Sequence, residues 1–251
     1  RSLLGGERKA VLLGNAAAHH AQASQLLALA HWIAENTGAT VGYLTEAANT
    51  VGAQFVGAHP VNGGLNAAQM LSGGLKAAVL LNTEPFHDSA AGAQAATALA
   101  GAEMVVTLSP FKANMEFSDV LLPIAPFTET SGSFVNAEGR IQSFHAVVRP
   151  LGDTRPAWKV LRVLANLLGV PGFDFETSQD VLARATNAPA GTVTQVPAVQ
   201  LSNAVKAVPA ATAAAGEPVV ASIYQLDGLV RRSTSLQLTA DARMAREGVA
   251  A

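Results

Sequence analysis

The side chains best equipped for chemistry crowd into one short stretch, Glu129-Thr130-Ser131-Gly132-Ser133-Phe134-Val135-Asn136-Ala137-Glu138-Gly139-Arg140-Ile141-Gln142. Glu129, Asn136, Glu138, Arg140 and Gln142 can all hydrogen-bond strongly, while Gly132 and Gly139 permit tight turns or close backbone approach. Such convergence can hold a polar ligand. It can also be a hairpin in which Glu138 and Arg140 form a partly exposed ion pair, contributing about 0 to 1 kcal/mol. A second group, Asn82-Thr83-Glu84-Pro85, follows an apolar run, the place where α/β proteins put ligand-facing polar groups. Asn and Pro also end strands for local reasons, so a plain turn is the competing reading. Gly14-Asn15 stands in the same position after the first apolar run, with the same two readings. His19, His20 and His31 bring three imidazoles near one predicted helix start. Adjacent histidines face different ways and neither His19 nor His20 has a carboxylate three or four residues on, so a polar helix entrance is expected there, not a metal centre.

Several chemistries are closed to this chain by residue type. It has no Cys, which removes disulfides, thiolate nucleophiles, thiolate zinc sites and iron–sulfur clusters held by its own residues. No two of its 22 Gly are spaced i, i+2, so G-x-G-x-x-G is absent, as are a Walker A loop, H-E-x-x-H and G-x-S-x-G. Sixteen Lys plus Arg against 18 Asp plus Glu give a net charge of −2, which does not point to nucleic acid or an anionic membrane as the main partner. Between Lys9 and Arg140 the only Lys or Arg are Lys76 and Lys112, few donors for a phosphate-bearing ligand. No apolar stretch approaches the roughly 18 residues that a membrane span needs, so no direct membrane insertion is expected. The start, Arg1-Ser2-Leu3-Leu4, has neither an initiator Met nor a signal pattern, as expected of a piece of a longer polypeptide.

The elements that must position these groups are short apolar runs alternating with helical segments. Ala10–Gly14, Thr40–Leu44, Lys76–Asn82, Met104–Leu108 and Asp119–Leu122 read as strands, and Leu26 to Ile33 and Ala90 to Ala100 as helices. Strands with no polar face imply a mostly parallel sheet with helices on both faces, so the fold class is α/β and Rossmann-like. Ser131 to Val148 reads as a β-hairpin turning at Asn136 to Gly139, and Pro156 opens a helix that ends before Gly169. The expected organisation is a lead over 1–9, an α/β domain over 10–175, a helix and Ala/Pro-rich linker over 176–222, and a last strand within Ile223–Val230 followed by a tail to 251. No internal repeat is evident.

Three segments together resemble a known family: Ser118-Asp119-Val120-Leu121-Leu122-Pro123, the run Glu129-x-x-Gly132-Ser133-x-x-Asn136-x-Glu138-Gly139-Arg140-x-Gln142, and the helix from Trp158 to Leu168-Gly169. Their pattern is similar to that of the molybdopterin oxidoreductase superfamily. Ser133 and Ser118 stand where the superfamily usually has Thr and Ala, small changes that keep the turn. The Glu-Gly-Arg form and the tail Tyr224-x-x-Asp227-x-x-Val230-Arg231-Arg232 look most like the large peripheral-arm subunit of bacterial NADH-quinone oxidoreductase, respiratory complex I.

That resemblance implies a domain derived from a pterin-binding one that has lost its cofactor. Gly14, Asn15, Asn82, Glu84, Asp119, Glu129, Gly132, Asn136, Glu138 and Arg140 would then border a vestigial cleft, with Glu138 and Arg140 partly buried and needed for folding. It further implies no catalytic residue and no cofactor in this chain, iron–sulfur clusters in an N-terminal region outside it, and other peripheral-arm subunits of complex I as partners. The implied location is cytoplasmic, peripheral to the inner (plasma) membrane. Two other readings stay open: a fragment of a formate-dehydrogenase-like oxidoreductase that keeps its pterin, and a free-standing small-molecule binding domain.

Overall fold

The computed structural model describes residues 2–20, 22–198 and 222–247, and they are mixed α/β. In chain order the helices are α1 (Ser2–Gly5), α2 (Asn15–Ala18), α3 (Ala23–Thr37), α4 (Thr50–Phe55), α5 (Ala67–Met70), α6 (Pro85–Asp88), α7 (Ala93–Ala100), α8 (Ala157–Leu167), α9 (Ser178–Thr186), α10 (Ile223–Leu226), α11 (Thr234–Gln237) and α12 (Ala240–Glu247). The strands are β1 (Ala10–Leu13), β2 (Thr40–Tyr43), β3 (Ala77–Leu81), β4 (Met104–Ser109), β5 (Val120–Pro123), β6 (Gly132–Val135) and β7 (Ile141–Phe144). The described residues divide into two compact units, one within Arg1–Ala58, Ser133–Gln142 and Gly191–Val220, the other within His59–Gly132, Ser143–Ala190 and Ala221–Ala251. The span 10–175 thus contributes to both.

In the first unit, β1 pairs in parallel with β2, Ala10 opposite Thr40 through Leu13 opposite Tyr43. The crossover is α3, which stops where Gly38 turns left-handed at φ 70° and returns its N–H to the Ala34 carbonyl. Gly is favoured there because an L side chain is strained in that left-handed conformation. Lys9 then donates from Nζ to the Thr37 carbonyl, satisfying one of the free acceptors at the helix end. Between Asn136 and Arg140 the β6–β7 hairpin closes, with the Asn136 amide oxygen accepting from the N–H groups of Glu138 (3.1 Å) and Arg140 (2.9 Å).

The second unit is built on a parallel sheet in the order β3-β4-β5, with Ala77 opposite Met104 and Val106 opposite Val120. Leu99 from α7, Val105 from β4 and Phe117 form its core, packed against Leu71, Leu75, Ala78 and Leu80. α9 carries a full capping box, Thr177 accepting from the Asp180 N–H and Asp180 accepting from the Thr177 N–H. Those bonds hold the Asp180 carboxyl below its ordinary pKa.

One expectation is corrected. Ile223–Val230 is not a strand: Ser222 caps α10 by accepting from the Tyr224 N–H, and a 3₁₀ turn follows over Val230–Arg232. A segment this short cannot be assigned to strand or helix by its apolar period alone. Within the expected helix and linker over 176–222, α9 is the helix, and beyond it Ile141 donates to Thr194, Val196 donates to Gly139, and Val196 is buried. Residues 199–221 of that segment lie outside the described residues.

Candidate functional site

Open parallel sheets bind ligands beyond the carboxyl ends of their strands, because loops leaving there present free backbone groups and adaptable side chains. Each unit offers such an edge. Beyond β1 and β2 lies a cleft of about 420 Å³, lined by Thr45, Glu46, Ala47, Ala48, Phe134, Asn136, Ala137 and Gln142. One wall is the loop after β2; the other is the β6–β7 hairpin. The Asn49 side chain ties them together by accepting from the Val135 N–H at 2.8 Å. Gly52 makes this possible, because a Cβ there would stand 2.0 Å from the Asn49 amide oxygen. At the rim, His19 Nε2 meets Glu46 Oε2 at 2.6 Å, an ion pair when the imidazole is protonated. None of the lining residues is Lys or Arg.

The edge of the second unit is built differently. At the end of β3, Asn82 turns left-handed at φ 49° and donates its N–H to Leu108, so the chain enters Thr83-Glu84 in a set direction. Asn114 is buried and donates to the Thr83 carbonyl at 3.0 Å, while Thr107 and Ser118 share a hydrogen bond beneath it. On this frame stand Glu84 and Asp88, and the tail inserts two arginines between them. Arg231, only 10% exposed, reaches Glu84 at 2.8 Å and Asp88 at 3.0 Å and donates to the carbonyls of Gln225 and Leu226. Arg232 reaches Glu84 at 2.8 Å, donates to Gly228, and lies 4.0 Å over the Phe111 ring, a cation–π arrangement. Burial alone would lower the Arg231 pKa, yet the bonds to Glu84 and Asp88 outweigh it and the net shift is upward. Next to it, His87 is pushed down, first by burial and then by the Arg231 charge.

The residues expected from sequence are therefore scattered. Gly14 caps α2 and Asn15 is its first residue, both past β1. Glu84 belongs to the arginine clamp. Asp119 lies at the amino end of β5, not the ligand-facing end, and its Oδ2 accepts from the Val105 N–H at 2.7 Å. Glu129 accepts from the Leu151 N–H at 2.9 Å. At Gly132 a Cβ would sit 2.7 Å from the Phe144 ring, so Gly serves packing. Asn136 lines the cleft, but the expected partly buried pair of Glu138 and Arg140 does not form: both residues are exposed, and no ion pair joins them. Their turn is held by the Asn136 side chain and the backbone, leaving the charges to water. Glu46, Asp88 and Phe111 carry no local signal in the sequence: Glu46 stands in a loop, Asp88 ends α6, and their partners are distant in the chain. Among the described residues no group of three or more His, Cys, Asp or Glu is placed to hold a metal ion.

Comparison with known proteins adds the ancestry. The molybdopterin oxidoreductase family model matches residues 1–167. A Bacillus subtilis (strain 168) protein named "Probable oxidoreductase YjgC" is 41% identical over 70 residues, 28% of this chain and 7% of that protein. Staphylococcus aureus proteins named "Putative formate dehydrogenase", from strains bovine RF122 / ET3-1 and USA300, are each 45% identical over 53 residues, 21% of this chain and 5% of theirs. The chain thus matches only a small part of the length of these relatives.

Proposed function

Because the chain belongs to the molybdopterin oxidoreductase family, we propose that it is a family domain turned from catalysis to support, part of the large peripheral subunit of an NADH-quinone oxidoreductase. The observation that carries this reading is the clamp: the strand-end edge of the second unit, where this architecture places a ligand, is filled by the chain's own Arg231 and Arg232. The family's pterin cofactor, whose phosphates need cationic or backbone donors, does not fit the side chains present. At the edge of the second unit Arg231 and Arg232 are already engaged by Glu84 and Asp88, and the cleft of the first is lined by Glu46 without a Lys or Arg.

In this reading electrons pass from NADH to quinone through iron–sulfur clusters outside this Cys-free chain. The domain holds neighbouring peripheral-arm subunits in place, at the cytoplasmic face of the inner membrane. That assignment agrees with the described residues including no helix long and apolar enough to cross a membrane. The names of the relatives favour a second reading, a segment of a formate-dehydrogenase-like enzyme. Purifying the full-length subunit with its natural partners separates the two. NADH–quinone turnover without stoichiometric molybdenum is expected; formate oxidation with one molybdenum per subunit overturns the support role.

A further inference from the structure

We propose that the loop after β7, residues 146–153 of the second unit, is a docking surface for an acidic, apolar segment of a partner protein. The loop is fixed at several points. The Val147 and Val148 N–H groups donate to the Thr128 carbonyl at 2.9 and 3.3 Å, and the Leu151 N–H donates to Glu129 at 2.9 Å. Just beyond, the Ala125 N–H donates to the Arg155 carbonyl at 2.9 Å. On this fixed backbone the apolar side chains stand outward: Val147 is 83% and Leu151 78% exposed, and Val148 and Phe127 beside them are exposed as well. A group of apolar residues that the fold holds in water marks a place for association.

Charge selects the partner. Of the chain's 16 Lys or Arg and 18 Asp or Glu, residues 145–162 hold four of the first, Arg149, Arg155, Lys159 and Arg162, and one of the second, Asp153, leaving 12 against 17 elsewhere. Arg149 is exposed and has no side-chain partner among the described residues, and the exposed Arg155 donates to the Thr154 carbonyl. Both guanidinium groups are thus open to a carboxylate, which they can meet in a planar, two-pronged contact. An anionic membrane fits less well, because it is held by the summed charge of roughly four to eight basic residues. Here Arg162 is turned to the Phe175 carbonyl, and Asp153 and Glu129 oppose a uniformly negative surface. A protein segment satisfies both features, with carboxylates that meet Arg149 and Arg155 one by one and apolar side chains that cover Val147, Val148 and Leu151. The loop and its charges are the same whichever parent enzyme the chain serves.

The test is a titration of the ¹⁵N-labelled 251-residue chain with three peptide helices and one vesicle. The first helix carries Leu on one face and Glu on the other; the second has Lys in place of Glu, the third Ser in place of Leu. The vesicle is phosphatidylcholine with phosphatidylserine. Expected are shifts of the Val147, Val148, Arg149 and Leu151 signals with the Leu/Glu helix, binding that weakens as salt is raised, and about tenfold weaker binding of the other two helices. Leu151→Ser should weaken the Leu/Glu helix a few-fold. Arg149→Glu combined with Arg155→Glu should exchange the preference, so that the Lys helix binds in place of the Glu helix, a result that a misfolded variant does not give. Equal binding of the Glu and Lys helices, no shift in residues 146–153, or preferential binding of the vesicle would each overturn the proposal. So would self-association through this loop without any peptide, since the occupant would then be a second copy of the chain.

Discussion

The second unit closes three parallel strands over Leu99, Val105 and Phe117, with Leu99 and Val105 each 1% exposed; the parallel sheet of the first has two described strands, β1 and β2, and Leu12 and Leu44 are 57% and 58% exposed. Both are parallel sheets whose strands are apolar on both faces, an arrangement that is stable only when both faces are covered. The same composition therefore yields a consolidated core in one place and a thin one in the other. Their ligand-facing edges differ in the same sense. One is neutralised by arginines from the chain's own tail, and the other keeps its carboxylate beside an open cleft. Local sequence sets the strand ends and their polar loops; what fills those ends depends on segments far along the chain.

Core substitution separates the units most sharply. Leu99→Ala should cost about 3 kcal/mol, against under about 1 kcal/mol for Leu12→Ala, because only the first leaves a cavity in packed surroundings. Hydrogen exchange checks this: Leu99→Ala should lower protection across β3 to β5 and spare β1 and β2. Equal loss in all five strands would merge the two units into one cooperative block.

Removing the clamp comes next. Arg231→Ala leaves Glu84 and Asp88 partly buried without their shared cation, which should cost about 3 kcal/mol in a denaturant titration. Arg231→Lys should recover only part, since an ammonium cannot reproduce the planar fork that spans two carboxylates and two carbonyls.

A smaller effect should appear with pH. The His87 pKa is lower in the folded chain than its unfolded value near 6.5, so between the two the unfolded state binds more protons and stability rises with pH. The His87 contribution is complete above about pH 6.5 and is lost as pH falls through the folded pKa. Thermal unfolding of wild type and His87→Gln across this window should show the slope only in wild type. The smallest effect belongs to the exposed hairpin charges: Arg140→Ala and Glu138→Ala should each change stability by under about 1 kcal/mol. A loss of several kcal/mol from either would mean that the first unit buries more than its exposed surfaces indicate.

Much of the architecture is legible in the sequence. The five parallel strands, α3 ending at Gly38, and the hairpin turning at Asn136 to Gly139 all lie where apolar runs and turn residues put them. These features are local, so residue type and period suffice. The site is less legible. Asp119 and Glu129 attract notice as carboxylates in a rich segment, yet each is spent on a backbone N–H. Glu46 attracts none, because its neighbours in the cleft come from the loop after β2 and from a hairpin about 90 residues later.

From sequence alone follow the α/β class, the lack of thiolate chemistry and the family resemblance, since each rests on residue identity or on spacing within a few turns of chain. Tertiary structure alone decided that Arg231 and Arg232 close on Glu84 and Asp88, across more than 140 residues, and that Glu138 and Arg140 stay apart across two. Charge pairing depends on where backbones come together in space, and separation along the chain is a poor guide to that distance.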